Sequence, residues 1–128
     1  MLSFEDAREA LSDIADALPA PLYKDLCGGI ILLPHSKRHP QTNDLYILGE
    51  YHYDPRGFGR YITLYYGSFQ RVFGENVTDE KMIAELSSTL RHELTHHIES
   101  LAGDKSLEHE DEARLEEYFR GRQAYRED

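Results

Sequence analysis

The chain has 128 residues, 40 % of them hydrophobic and 30 % charged, which indicates a single globular domain over residues 1–128 rather than a disordered chain. Its formal net charge of −10 argues against binding to nucleic acid or to an anionic membrane, because no basic patch offsets the repulsion. No apolar run approaches bilayer length, and the acidic N-terminus lacks the pattern of a secretory signal. We therefore expect a cytoplasmic protein.

The first part of the chain predicts one helix and three strands. Apolar residues recur at three- and four-residue steps over residues 4–18, which predicts an amphipathic helix that Ser3 can cap and Pro19 ends. The run GGIILLP predicts a buried strand over residues 29–33. DLYILGEYHY and RYITLYYGSF predict two more strands, and the turn-forming residues between them predict a hairpin.

The single cysteine, Cys27, excludes an intramolecular disulfide and fits a reducing compartment. Because Leu26 precedes it and Gly28 follows it, we predict a small buried side chain rather than a reactive thiol.

The second part of the chain predicts two helices. From Thr78 to about Ala102 the apolar residues share one helical face, and Gly103 ends the run. A last helix is predicted from about Ser106 to Gly121. Together the elements predict an α+β fold, in which a small, mostly antiparallel sheet of three to four strands packs on the first helix and on the long one.

The long helix contains RHELTHHIESLAG, residues 91–103. Histidines four residues apart lie on one helical face, so His92 and His96 can bind one zinc ion. Glu93 is rotated out of reach of the metal but can take a proton from a metal-bound water, so the motif predicts one zinc ion per chain and hydrolytic chemistry. The alternative is a solvated polar face that happens to hold histidines. His97 falls on the apolar stripe and is predicted to be packed, whereas His35, His39 and His52 are predicted at the surface.

Nearly the whole chain resembles the small bacterial zincin-like metallopeptidases, which are minimal gluzincin-like domains. The resemblance is carried by ALPAPL, GGIILLP, LYILGEY, YITLYYGSF and HELTHH, in that order. It implies a compact zincin-like fold, zinc at His92 and His96, and Glu93 as the general base. It also implies that the strand before the metal helix, here Tyr61 to Phe69, borders the cleft and pairs with an extended peptide.

The chain departs from this family just after the motif. Family members have a glycine three residues after the second histidine, where this chain has Glu99. A catalytic zinc usually has three protein ligands, so one is still to be assigned. If the last helix packs antiparallel to the metal helix, Asp111 comes level with His96 on an inward face, and we predict Asp111 as the third ligand. The alternatives are Glu112, Glu108, Glu110, Asp104 and Glu99.

The sequence thus predicts a zinc-dependent metallopeptidase acting on a peptide or protein substrate, with Tyr65 and Tyr66 contacting that substrate. The alternative is a zinc-binding protein-interaction domain with little or no hydrolysis. Glu93 favours the enzyme, because a site that only holds zinc needs no base. The pattern carries no prediction of oligomeric state.

Overall fold

The computed structural model describes residues 1–42 and 44–103, and this part of the chain has an α+β fold. In chain order its elements are α1 (Phe4–Ala17), a 3-10 turn (Ala20–Tyr23), β1 (Gly29–Leu33), β2 (Gly49–Asp54), β3 (Gly59–Tyr65), α2 (Tyr66–Phe73) and α3 (Asp79–Gly103). The helix predicted from Ser106 to Gly121 lies outside the described residues. None of the helices in the described ranges is long and apolar enough to cross a bilayer.

Both predicted helices within the described ranges are confirmed, together with their N-terminal caps. The Ser3 hydroxyl accepts a hydrogen bond from the Asp6 amide at 3.1 Å, and the Thr78 hydroxyl accepts one from the Lys81 amide at 3.1 Å. Each cap satisfies one backbone donor that a helix leaves without an internal partner at its start. The cap residues therefore fix where α1 and α3 begin.

The sheet has three strands in the order β1-β3-β2, and it is mixed. β2 and β3 form the expected antiparallel hairpin, with Glu50 opposite Thr63. β1 pairs in parallel with β3, with Ile30 opposite Ile62. The prediction of a mostly antiparallel sheet is therefore wrong. β2 and β3 form the predicted hairpin, but β3 lies between β1 and β2 and runs parallel to β1, so only one of the two strand pairs is antiparallel.

The predicted third strand is too long, because the chain turns into α2 at Tyr66. The Gly67 amide donates to the His35 carbonyl, and a Cβ added at Gly67 would lie 2.5 Å from the Ser36 nitrogen. The Ser68 hydroxyl accepts from the Lys37 amide at 2.9 Å. These contacts with the segment after β1 replace the strand pairing that the local sequence predicts.

The core lies between the sheet, α1 and α3. Leu86, Leu90 and Leu94 of α3 are fully buried, together with Ile62 and Leu64 of β3. A second row along α3, formed by Thr89, Glu93 and His97, is also buried. Through this row, α3 brings a hydroxyl, a carboxylate and an imidazole group into the interior of the protein.

Cys27 is exposed, so its predicted burial is wrong. It lies just before Gly29, whose φ of 76° turns the chain into β1. The turn leaves the cysteine outside the core, in van der Waals range of the position of a Cβ on Gly59.

Candidate metal centre

The Nε2 atoms of His92 and His96 lie close to each other on one side of α3. Their Nε2 atoms lie 3.2 Å apart, and the two rings are nearly perpendicular. Two imidazole nitrogens bound to one tetrahedral zinc at about 2.0–2.1 Å each lie about 3.3–3.4 Å apart. The separation of these two nitrogen atoms therefore fits their binding to one zinc ion.

Glu99 contacts the other nitrogen of His96. Its Oε1 lies 3.3 Å from Nδ1 of His96, one helical turn further along α3. Nδ1 and Nε2 face away from each other across the imidazole ring. The structure thus places the Glu99 carboxylate behind His96 rather than beside the two converging Nε2 atoms, where a third ligand would lie.

Glu93 is fully buried, on the side of α3 that faces β2. Gly49 makes that approach possible: a Cβ added there would lie 2.8 Å from Thr89 Cγ2 and 3.3 Å from Glu93 Cγ. The backbone of β2 therefore passes directly over the carboxylate-bearing residue. Sequence patterns did not single out Gly49, although it stands on the same face of the predicted strand as Tyr51.

His97 connects α3 to the neighbouring segments of the chain through two hydrogen bonds. It is fully buried, as predicted; its Nε2 lies 2.6 Å from the Lys24 carbonyl and its Nδ1 lies 2.8 Å from the Tyr51 hydroxyl. Burial lowers the pKa of His97, although the hydrogen bond to Lys24 opposes this, so the ring is neutral. A carbonyl can only accept, so Nε2 carries the hydrogen and the Tyr51 hydroxyl donates to Nδ1.

An open cleft of about 580 Å³ lies between β2 and α3. It is lined by Glu50, Tyr51, His52, His96, Glu99 and Ser100. Among the described strands, β2 lies at an edge of the sheet. The hydrogen bond from the Tyr65 amide to the Leu48 carbonyl shows which residues of β2 direct their backbone groups toward β3. In an antiparallel ladder with this hydrogen bond, Gly49 and Tyr53 direct their backbone N–H and C=O groups away from β3, toward the outer edge.

The cleft strand is therefore β2, and the prediction that Tyr61 to Phe69 borders the cleft is wrong. β3 is the central strand and is paired on both sides, so its backbone groups have no edge to offer a peptide. The last four residues of that segment belong to α2. Sheet order, which local sequence patterns do not carry, decides which strand is exposed at the edge.

A charged cluster supports β2 from the other face of the sheet. The Glu50 carboxylate accepts from Lys37 Nζ at 2.7 Å and from the Tyr65 hydroxyl at 2.6 Å. His52 lies 2.9 Å from the Thr63 hydroxyl, and burial lowers the pKa of this histidine. His52, predicted as a surface residue, is thus half-buried and lines the cleft.

Tyr65 and Tyr66, predicted to contact substrate, belong to the interior instead. Tyr65 is 4 % exposed and its hydroxyl is bound to Glu50, while the hydroxyl of Tyr66 donates to the Leu2 carbonyl. Neither residue lines the cleft, because they continue β3 and begin α2. Of the tyrosines in residues 1–42 and 44–103, it is Tyr51 that lines the cleft.

The predicted third ligand lies outside the described residues, as do its alternatives Glu112, Glu108, Glu110 and Asp104. Within residues 1–42 and 44–103, no group of three or more histidine, cysteine, aspartate or glutamate side chains is placed to hold a metal ion. The described part of the site therefore consists of two nitrogen donors.

The chain is similar in sequence and fold to a protein of known structure. A conserved hypothetical protein of T. thermophilus is 35 % identical to this chain, with a TM-score of 0.68. The match covers 80 % of this chain and 99 % of that one. The chain belongs to the family of that protein. No family model matches this chain, and no curated protein does. The family is thus identified by a shared sequence and fold.

Proposed function

We propose that this protein is a zinc-dependent metallopeptidase that hydrolyses peptide bonds in an extended substrate. The observation that carries the proposal is the 3.2 Å separation of the His92 and His96 Nε2 atoms, next to a cleft along β2, the edge strand of the described sheet. A two-nitrogen site of this geometry next to a carboxylate residue fits metal-assisted hydrolysis.

The residues divide the chemistry between them. When bound, zinc acidifies water and polarises a carbonyl oxygen. His92 and His96 would hold the ion, and Glu93 would accept the proton of the attacking water and pass it to the leaving amine. Because Glu93 is fully buried beneath Gly49, its carboxylate is shielded from bulk water, which strengthens its interaction with a nearby cation.

The substrate class is proposed from the edge of β2. Gly49 and Tyr53 direct backbone donors and acceptors toward the outer edge of β2, and Tyr51 between them lines the cleft, so an extended peptide can add there as a further strand. Pairing there would bring a peptide bond of the substrate over His96. The backbone contacts fix the orientation of the peptide and leave its side chains to set the selectivity.

One observation favours the alternative, a zinc-binding interaction domain with little hydrolysis. The hydroxyl groups of Tyr51, Tyr65 and Tyr66 each donate to a protein acceptor, namely His97, Glu50 and the Leu2 carbonyl. These hydroxyls are therefore committed and are not arranged to stabilise an oxyanion. In the enzyme, that donor would have to be another group.

Zinc content and cleavage test the proposal together. We expect the protein purified without chelator to hold about one zinc per chain and to cleave members of a library of unstructured peptides, measured by mass spectrometry. The double substitution His92→Ala, His96→Ala should abolish both zinc binding and cleavage, because it removes both nitrogen donors. Glu93→Gln should retain zinc but lower the cleavage rate by about two to four orders of magnitude.

The matched control is Glu85→Gln, which removes a carboxylate two turns earlier on the same helix and should leave both measurements unchanged. Full zinc content in the double variant would show that the zinc is bound by residues other than His92 and His96. A zinc-loaded parent that cleaves no peptide would support the interaction domain.

A further inference from the structure

The structure offers Glu99 a role that is separate from metal binding. In this conformation its Oε1 lies 3.3 Å from His96 Nδ1, while Nε2 of the same ring lies 3.2 Å from His92 Nε2. A carboxylate can only accept hydrogen bonds, so Glu99 favours the tautomer of His96 that carries its hydrogen on Nδ1. The lone pair is then on Nε2, the atom that a metal needs.

We propose that Glu99 is a positioning residue that holds His96 in the tautomer and ring orientation required for zinc. This inference rests on the zinc site of the proposed function. Carboxylates that accept from the outer nitrogen of a metal-binding histidine fix its orientation and raise its basicity. In this chain the carboxylate comes from the metal helix itself, three residues after the histidine.

The exposure of the pair sets the size of the effect. The side chain of Glu99 is 61 % exposed and that of His96 is 37 % exposed, so water weakens their attraction. Loss of such an orienting group changes metal affinity by about 10–100-fold in general, and the solvation of Glu99 argues for the lower end of that range, about tenfold. The contribution is therefore measurable but does not decide whether the metal binds.

The test compares zinc affinity in two Glu99 variants by competition with a chromophoric chelator. Glu99→Ala removes the acceptor and should raise the zinc Kd about tenfold, whereas Glu99→Gln keeps a neutral acceptor and should raise it less. Glu80→Ala removes the same charge from an exposed site at the start of the same helix, and its zinc Kd should equal that of the parent. Circular dichroism checks that each variant is folded.

Cobalt substitution separates positioning from ligation. If Glu99 acts only behind His96, the d–d absorption of the Co²⁺ protein should keep its shape in Glu99→Ala, because the ligand set is unchanged. A changed coordination spectrum would make Glu99 itself a ligand and would overturn the inference. An unchanged zinc Kd in Glu99→Ala would also overturn it. If the parent fails to bind zinc, the proposed function fails first and the inference fails with it.

Discussion

At Glu50, burial and hydrogen bonding act on the pKa of one carboxylate in opposite directions. Burial raises the pKa of Glu50, but hydrogen bonds from Lys37 and Tyr65 and the charge of Lys37 outweigh it, so the pKa lies below its ordinary value. A carboxylate of this kind stabilises the fold while it is ionised. Its contribution is complete above the pKa of the unfolded chain and is lost as the pH falls through the lower, folded pKa.

We therefore expect Glu50→Gln to make the free energy of unfolding less dependent on pH at acid pH. In the presence of chelator, the free energy of unfolding of the parent should fall as the pH is lowered from about 6 to about 3, and that of Glu50→Gln should fall less steeply. Urea unfolding at a series of pH values measures both slopes.

The control for this experiment is Glu9→Gln, which removes the same charge from the exposed face of α1 and should not flatten the curve. Parallel curves for the parent and Glu50→Gln would show that the cluster of Glu50, Lys37 and Tyr65 contributes nothing to acid stability.

At the scale of elements, the site depends on how closely β2 approaches α3. Gly49 allows the contact, since a Cβ there would lie 2.8 Å from Thr89 Cγ2. Overpacking of a tight interior contact costs about 1–3 kcal/mol, so Gly49→Ala should lower the free energy of unfolding by that amount. The same substitution should push β2 away from Glu93. It should therefore lower the rate of zinc-dependent peptide cleavage by a larger factor than it lowers the amount of bound zinc.

The matched control for this close contact is Gly103→Ala at the end of α3, where an added Cβ meets no atom of residues 1–42 and 44–103 within 4 Å. Denaturant unfolding and peptide cleavage should leave this variant close to the parent. If Gly49→Ala were equally stable and active, the close packing of β2 on α3 would not be needed to place Glu93.

Local patterns predicted some elements to the residue and missed others for a physical reason. β1 and α3 were predicted almost at their observed bounds, because a short apolar run and a 3.6-residue period each determine one local structure. The segment TLYYGSF is rich in aromatic residues and predicts a strand throughout, but the contacts of Gly67 and Ser68 with His35 and Lys37 accompany a turn into helix from Tyr66 onward. Long-range contacts of this kind are not encoded in a local period.

The same distinction separates the parts of the site. Spacing along one helix was enough to pair His92 with His96 and to place His97 in the core. The cleft strand was misassigned because the edge of a sheet is set by strand order, and Tyr65 was misassigned because its acceptor, Glu50, is on another strand. Sequence thus predicts what one element presents better than what two elements form together.

At the scale of the whole molecule, α3 joins the core to the candidate chemistry. One side of this 25-residue helix packs against the sheet and α1 through fully buried leucines, and the adjoining side carries His92 and His96, of which His96 lines the cleft. The two candidate ligands therefore stand on a helix that is anchored in the core along most of its length. A helix held in this way keeps two donors at a fixed separation, which favours metal binding over a mobile pair.

The remaining prediction concerns the third ligand, which a site with two nitrogen donors still requires for catalysis. Asp111 is our candidate, because its spacing from Leu107 and Leu115 in the sequence predicts an inward-facing carboxylate that zinc would compensate. Asp111→Asn should weaken zinc binding by at least about tenfold, because the loss of a residue that only orients a ligand already costs about that much. It should also change the d–d absorption of the Co²⁺ protein. Glu112→Gln, one residue further and rotated by about 100° on a helix, should change neither. If Glu112→Gln instead weakened binding and Asp111→Asn did not, Glu112 would be the ligand, and the two-histidine site would stand unchanged.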